Sequence, residues 1–175
     1  IIDVLFIVIL FGFYGWLHTL LASNKIKNLV KEKAGEYIAF YRVTYNIIAL
    51  LLLYLLYDIS PKPDVILYDL NPPADIIIFS LQILSLAGIL WSASGFCLKE
   101  FLGISQIIRW YNKEYNVNEL DERLSLRIKG AYRYSRHPVY FFVILFLALR
   151  PTMDLFYFTA FLCIVIYFYT GSFYE

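Results

Sequence analysis

The sequence predicts an all-α fold: a multi-pass transmembrane helical bundle of about five spans, the last two forming a hairpin. Three observations carry that expectation. Apolar residues make up 61% of the 175 positions, with mean hydropathy +0.64, against about 45–50% in a soluble domain. That much hydrocarbon exceeds what one soluble core could hide, so lipid is expected to solvate much of the surface. Apolar runs of span length alternate with polar breaks, and the sign of the charge alternates from one break to the next.

Residues 1–21 form an apolar run about long enough to cross a bilayer, and no basic segment precedes it as in a signal peptide. Residues 22–36 carry Lys25, Lys27, Lys31 and Lys33 against Glu32 and Glu36. A second span is expected over 37–57. The next break, 58–75, sets Asp58, Asp64, Asp69 and Asp75 against Lys62, with Pro61, Pro63, Pro72 and Pro73 as helix breakers. A third span covers 76–98. The longest polar stretch, 99–137, holds eight Lys/Arg and five Asp/Glu. The last apolar runs, 139–149 and 155–174, flank Arg150-Pro151-Thr152-Met153-Asp154, and the first is short for a full crossing. The chain reads as one integral membrane domain over 1–175.

The positive-inside rule puts 22–36 and 99–137 in the cytosol and the acidic loop outside. The N-terminus is then outside and the C-terminus cytosolic. Cys97 and Cys163 both lie in apolar runs and read as small buried hydrophobes, not a disulfide pair. The start without Met and the end on a lone Glu predict a longer native chain, with a cytosolic C-terminal tail to follow.

One stretch stands out chemically: Gly130-Ala131-Tyr132-Arg133-Tyr134-Ser135-Arg136-His137-Pro138-Val139-Tyr140. Pro138 suits the first turn of a helix, where a missing N–H is harmless. The positive end of that helix then points toward His137, Arg136 and Arg133, a setting for a carboxylate or phosphate. On the predicted topology His18, Arg42, Tyr45, Asn46, Lys99, Glu100, Tyr174 and Glu175 end helices at the same membrane face. His18 equally suits a headgroup-level position, Arg42 a snorkelled contact with lipid phosphate, and the arginine pair attraction to anionic lipid. Scattered basic residues would serve lipid attraction; a His-Pro helix start among tyrosines points to a ligand. No Gly-rich nucleotide loop, Walker sequence, His-Glu-x-x-His or Gly-x-Ser-x-Gly occurs. With two histidines no metal site is expected, and no sustained basic surface suggests nucleic acid.

Gly130-Ala131-Tyr132-Arg133-Tyr134 followed by Arg136-His137-Pro138-Val139-Tyr140 resembles the signature of the isoprenylcysteine carboxyl methyltransferase-like superfamily, small multi-pass enzymes that use S-adenosylmethionine without a Rossmann domain. His18-Thr19-Leu20-Leu21-Ala22-Ser23, Phe101-Leu102-Gly103-Ile104-Ser105-Gln106 and Pro151-Thr152-Met153 are similar to segments of its methanethiol S-methyltransferase branch. The resemblance covers nearly the whole chain. Two features depart from the pattern. Phe142 stands where relatives commonly have Gly, and the chain ends at Tyr174-Glu175, where a second Glu would come.

The resemblance implies methyl transfer from S-adenosylmethionine, leaving S-adenosylhomocysteine, to a small or lipid-like acceptor, foremost a thiol. Arg133 or Arg136 and the helix start at Pro138 would hold the cofactor carboxylate, supported by His137. Glu175 would hold its ammonium, and Tyr134 and Tyr140 the sulfonium and adenine. Gln106, His18 or Arg42 would hold the thiolate or relay its proton. The expected location is the bacterial cytoplasmic membrane, with the site at the cytosolic face and no obligatory protein partner. Rival readings are a prenylcysteine carboxylate or lipid amine as acceptor, an NADPH-dependent reductase of related fold, and a non-enzymatic membrane subunit. The last would predict paired charges in mid-span, and the spans are almost uncharged.

Overall fold

Helices form where the apolar runs lie, and proline, glycine or serine marks their ends. The computed structural model describes residues 1–120 and 130–174. The chain is mostly helical: α1 (Ile2–Ala22), α2 (Asn24–Ala34), α3 (Tyr41–Ile59), α4 (Ala74–Ala93), α5 (Leu98–Leu102), α6 (Ile104–Tyr111), α7 (Pro138–Ala148) and α8 (Leu155–Tyr174). Four helical stretches are long and apolar enough to cross a membrane: α1, the run Asn24–Ile59 that contains α3, α4, and α8. At 11 residues, α7 is roughly 16 Å long, about half the hydrocarbon thickness.

Several expected boundaries shift. The second span begins with a 3-10 turn, Gly35–Phe40, before α3 starts at Tyr41. The third span stops at Ala93, and the chain turns through Ser94–Cys97 before α5. The stretch 99–137 contains α6 and the short 3-10 turns Val117–Glu119 and Gly130–Arg133, so it is not a plain polar loop. The acidic, proline-broken stretch carries a strand. β1 (Ile66–Asp69) pairs antiparallel with β2 (Thr152–Asp154), in the register Ile66 to Asp154, Tyr68 to Met153 and Asp69 to Thr152. Prolines exclude helix on both sides of β1, leaving Val65-Ile66-Leu67-Tyr68 free to extend. Thr152 Oγ1 donates to Asp69 Oδ1 at 2.7 Å across the ribbon.

Two compact units emerge, and α1 contributes to both. In the first, comprising Ile1–Phe13, Ile59–Gly95 and Arg127–Glu175, α4 buries a stripe of Gln82, Ser85, Gly88 and Ser92, spaced one helical turn apart. Small residues let membrane helices approach closely. A Cβ at Gly88 would run into the Phe142 ring of α7. The serine hydroxyls donate to carbonyls four residues back, Ser85 to Leu81 and Ser92 to Gly88. Gln82 Nε2 donates to the Phe146 carbonyl at 3.0 Å, in the last turn of α7, where carbonyls lack intrahelical partners. At the start of α8, Asp154 Oδ1 accepts from the Tyr157 N–H at 2.8 Å, as an N-cap does.

In the second unit, Tyr14–Asp58 with Phe96–Leu126, Tyr41 Oη donates to the Leu21 carbonyl at 2.6 Å. This ties the end of α1 to the start of α3. Ile38 and Ala39 of the intervening turn are fully buried. The Phe40 ring meets Trp110 of α6 edge-on, with centroids 5.1 Å apart.

Candidate functional site

In the first unit the motif folds as a tight corner. The 3-10 turn Gly130–Arg133 ends where Tyr134 N–H and Ser135 N–H both reach the Ala131 carbonyl. Ser135 Oγ accepts from His137 N–H at 3.2 Å. His137 then leaves helical geometry as the N-cap of α7, and Pro138 takes the first position, as its sequence position predicts. No side chain caps this helix, so its positive end is open to an acceptor from elsewhere. Ala131 and Pro138 are buried and hold the corner in place.

A column of rings stands on that corner. His137 stacks on Tyr140 with centroids 5.1 Å apart, and Tyr140 lies parallel to Phe168 of α8 at 4.2 Å. Trp91 of α4 is tilted against Tyr134, and meets Phe142 edge-on, at 6.4 Å in both cases. Arg133, Tyr134 and Arg136 are exposed. Among the described residues neither guanidinium makes a hydrogen bond or an ion pair. Two unpaired cations beside an open helix start suit an anion, and the aromatic faces suit a cation or a flat ring. The donor set therefore fits the carboxylate, sulfonium and adenine of S-adenosylmethionine. Glu175, expected to hold the ammonium, lies outside the described residues.

The residues expected on the acceptor side fall in the second unit. His18 is bound by the Tyr45 hydroxyl, 2.8 Å from Nε2, and its ring also lies 5.8 Å from that of Tyr14. Arg42 and Gln106 are engaged in the backbone of α5. Arg42 Nε and Asn46 Nδ2 both donate to the Phe101 carbonyl, at 3.2 and 3.0 Å, and Gln106 Nε2 donates to the Glu100 carbonyl at 3.1 Å. The Glu100 carboxylate pairs with the Arg109 guanidinium. Arg42 and Asn46 thus serve a carbonyl near the end of a five-residue helix, and the Glu100 carbonyl accepts from the Gly103 N–H as well, at 3.1 Å. The chain reverses at Gly103, with φ +89°, where a Cβ would strike Val43.

The structure thus gathers Arg133, Tyr134, Arg136, His137, Pro138 and Tyr140 in one place and sets His18, Arg42 and Gln106 in the other unit. Sequence reasoning did not single out Phe168 or Trp91. Both sit among many aromatics, and neither has a distinguishing neighbour in the sequence. Asn46 was legible as a polar residue at a helix end, but its target carbonyl was not. The described residues include no cluster of His, Cys, Asp and Glu able to hold a metal ion. Comparison with known proteins finds no matching family model, no matching curated protein and no matching solved structure.

Proposed function

We propose that this chain is a multi-pass membrane methyltransferase that uses S-adenosylmethionine to methylate a small or lipid-like acceptor, foremost a thiol. One observation carries the reading. Two guanidiniums that have no partner among the described residues stand at a proline-led helix start with no side-chain cap, next to a stacked His137–Tyr140–Phe168 column. The resemblance of the same residues to the isoprenylcysteine carboxyl methyltransferase-like signature supports it. In this reading α7 and α8 form the closing hairpin of about five spans. The basic loops face the cytosol and the ribbon faces outward, as the charge distribution favours. The site then opens at the cytosolic face.

S-adenosylmethionine supplies a methyl group already activated by its sulfonium, for in-line displacement by a nucleophile. The chain has to bind, align and keep water away. Arg133 and Arg136 bind the carboxylate with the first turn of α7, and His137 is held in place by its stack on Tyr140. The exposed face of Tyr134 would receive the sulfonium or the adenine, while Tyr140, stacked between His137 and Phe168, would keep the corner rigid. Within the second unit, the Tyr45 hydroxyl and His18 form a pair able to hold a proton, while Arg42 and Gln106 position α5. A prenylcysteine carboxylate and a lipid amine are the next acceptor classes, and their chemistry makes the same demands on the cofactor corner.

Calorimetric titration of the purified chain tests this. Saturable S-adenosylmethionine binding, weakened by Arg136→Ala and by His137→Ala, is the expected result. Equal binding by parent and both variants would remove the reading, and thermal protection by NADPH in place of S-adenosylmethionine would favour reductase chemistry. Labelled cofactor offered with volatile thiols, prenylcysteines and phospholipids then identifies the acceptor.

A further inference from the structure

The segment Leu98–Tyr111 is inside out for a water-exposed loop. Its polar side chains point inward. Gln106 is fully buried on the Glu100 carbonyl, and the Glu100–Arg109 pair is 15% exposed on each side. Its large apolar side chains point outward. Leu98, Phe101, Leu102, Ile104, Ile108 and Tyr111 are between 43% and 81% exposed, and the last three recur at the four- and three-residue spacing of one helix face. A face of this kind in water would be a liability, since contiguous exposed apolar surface marks an interaction site.

The occupant of that face follows from where the segment is held. Arg42 and Asn46, in the first two turns of α3, donate to the Phe101 carbonyl, and Val43 packs at Gly103. The segment therefore lies alongside the beginning of a helix long enough to cross a bilayer. Ile47, Ile48, Leu50 and Leu51 of α3 are likewise exposed and apolar. Trp110 and Tyr111 stand at the far end of α6, and Tyr37 and Phe40 cluster on Trp110. Aromatic residues of this kind favour the headgroup level. Lys99 is exposed beside Leu98 and can reach a phosphate with its stem along hydrocarbon.

We infer that Leu98–Tyr111 is a membrane-surface segment that lies in the plane of the bilayer, its Ile104–Ile108–Tyr111 stripe set into the boundary between phospholipid headgroups and acyl chains. The buried Gln106 and the Glu100–Arg109 pair lock the segment in this orientation, because rotating it would expose the stripe to water and carry the ion pair into lipid. This inference stands independently of the methyl-transfer reading.

Site-directed spin labelling tests it in vesicles of phosphatidylcholine and phosphatidylglycerol. In a Cys97→Ser, Cys163→Ser background, single cysteines replace Ile104, Ile108, Tyr111 and Glu114 in turn. Labels at 104 and 108 should collide with oxygen several times more often than with a water-soluble nickel chelate, 111 should fall between, and 114 should show the reverse. Nickel access at 104 and 108 equal to that at 114 would overturn the inference. So would spin–spin broadening that vanishes on dilution with unlabelled chain, which would put a second copy on the stripe. As a second measurement, in a Trp16→Phe, Trp91→Phe background, phospholipids brominated near the headgroup end of the acyl chain should quench Trp110. No quenching would also overturn it.

Discussion

The two units use polar side chains in opposite ways. In the second, Arg42, Asn46, Gln106, Glu100 and Arg109 bond to one another or to nearby carbonyls, and together fasten α5 and α6. In the first, the helix contact is built from Gly88, two self-satisfied serines and Gln82, while Arg133 and Arg136 stay exposed and unpaired. A charge that already has a partner holds the fold together; one without a partner is available to a ligand. The comparison teaches that clustered polar residues at membrane-helix ends do not by themselves mark chemistry. What distinguishes the corner at Pro138 is that Arg133 and Arg136 have no partner among the described residues.

That contrast can be broken by substitution, starting where the effect should be greatest. Gly88→Leu forces a branched side chain against the Phe142 ring. Overpacking of this kind costs about 1–3 kcal/mol or more, so the thermal melt in detergent should fall sharply or be lost. An unchanged melt would mean that α4 and α7 are not in close contact. The double variant Arg133→Ala, Arg136→Ala should leave the melt in place but weaken S-adenosylmethionine binding about tenfold to a hundredfold, the worth of charge-assisted hydrogen bonds of about 1.5–3 kcal/mol. A lower melt with unchanged affinity would reverse the contrast and make the pair structural.

Gln106→Leu should do the opposite of the arginine pair. It removes the side-chain donor to the Glu100 carbonyl, which keeps the Gly103 N–H, a destabilisation of about 0.5–1.5 kcal/mol, readable by denaturant titration in mixed micelles, with cofactor affinity little changed. Loss of affinity at full stability would return Gln106 to the reacting groups. The smallest effect is expected for Gln82→Leu. It removes one hydrogen bond between membrane helices, about 0.6 kcal/mol and at most about 1.7, and the same titration would detect the upper part of that range.

Much of this was legible residue by residue. Pro138 announced the start of α7. The boundaries that moved did so through contacts between segments distant in sequence. The strand at Ile66–Asp69 needs Thr152–Asp154 as its partner, and nothing within 58–75 names that partner. The amphipathic α6 hid inside a stretch whose net charge looked like that of a solvated loop. For Arg42 and Gln106 the sequence shows a polar group without showing the carbonyl it serves.

By itself the sequence determined the helical class, the presence of apolar stretches long enough to cross a bilayer and the placing of Arg133, Arg136 and His137 just before a proline-led helix. Each depends on local composition and on the rules of helix starts. The tertiary structure decided which polar groups are consumed and which are left over, because a hydrogen bond or ion pair depends on a partner that may be 60 residues away, as Phe101 is from Arg42 at a separation of 59. It also decided which face of α6 looks outward, since amphipathic order fixes two faces but only packing says which of them is buried.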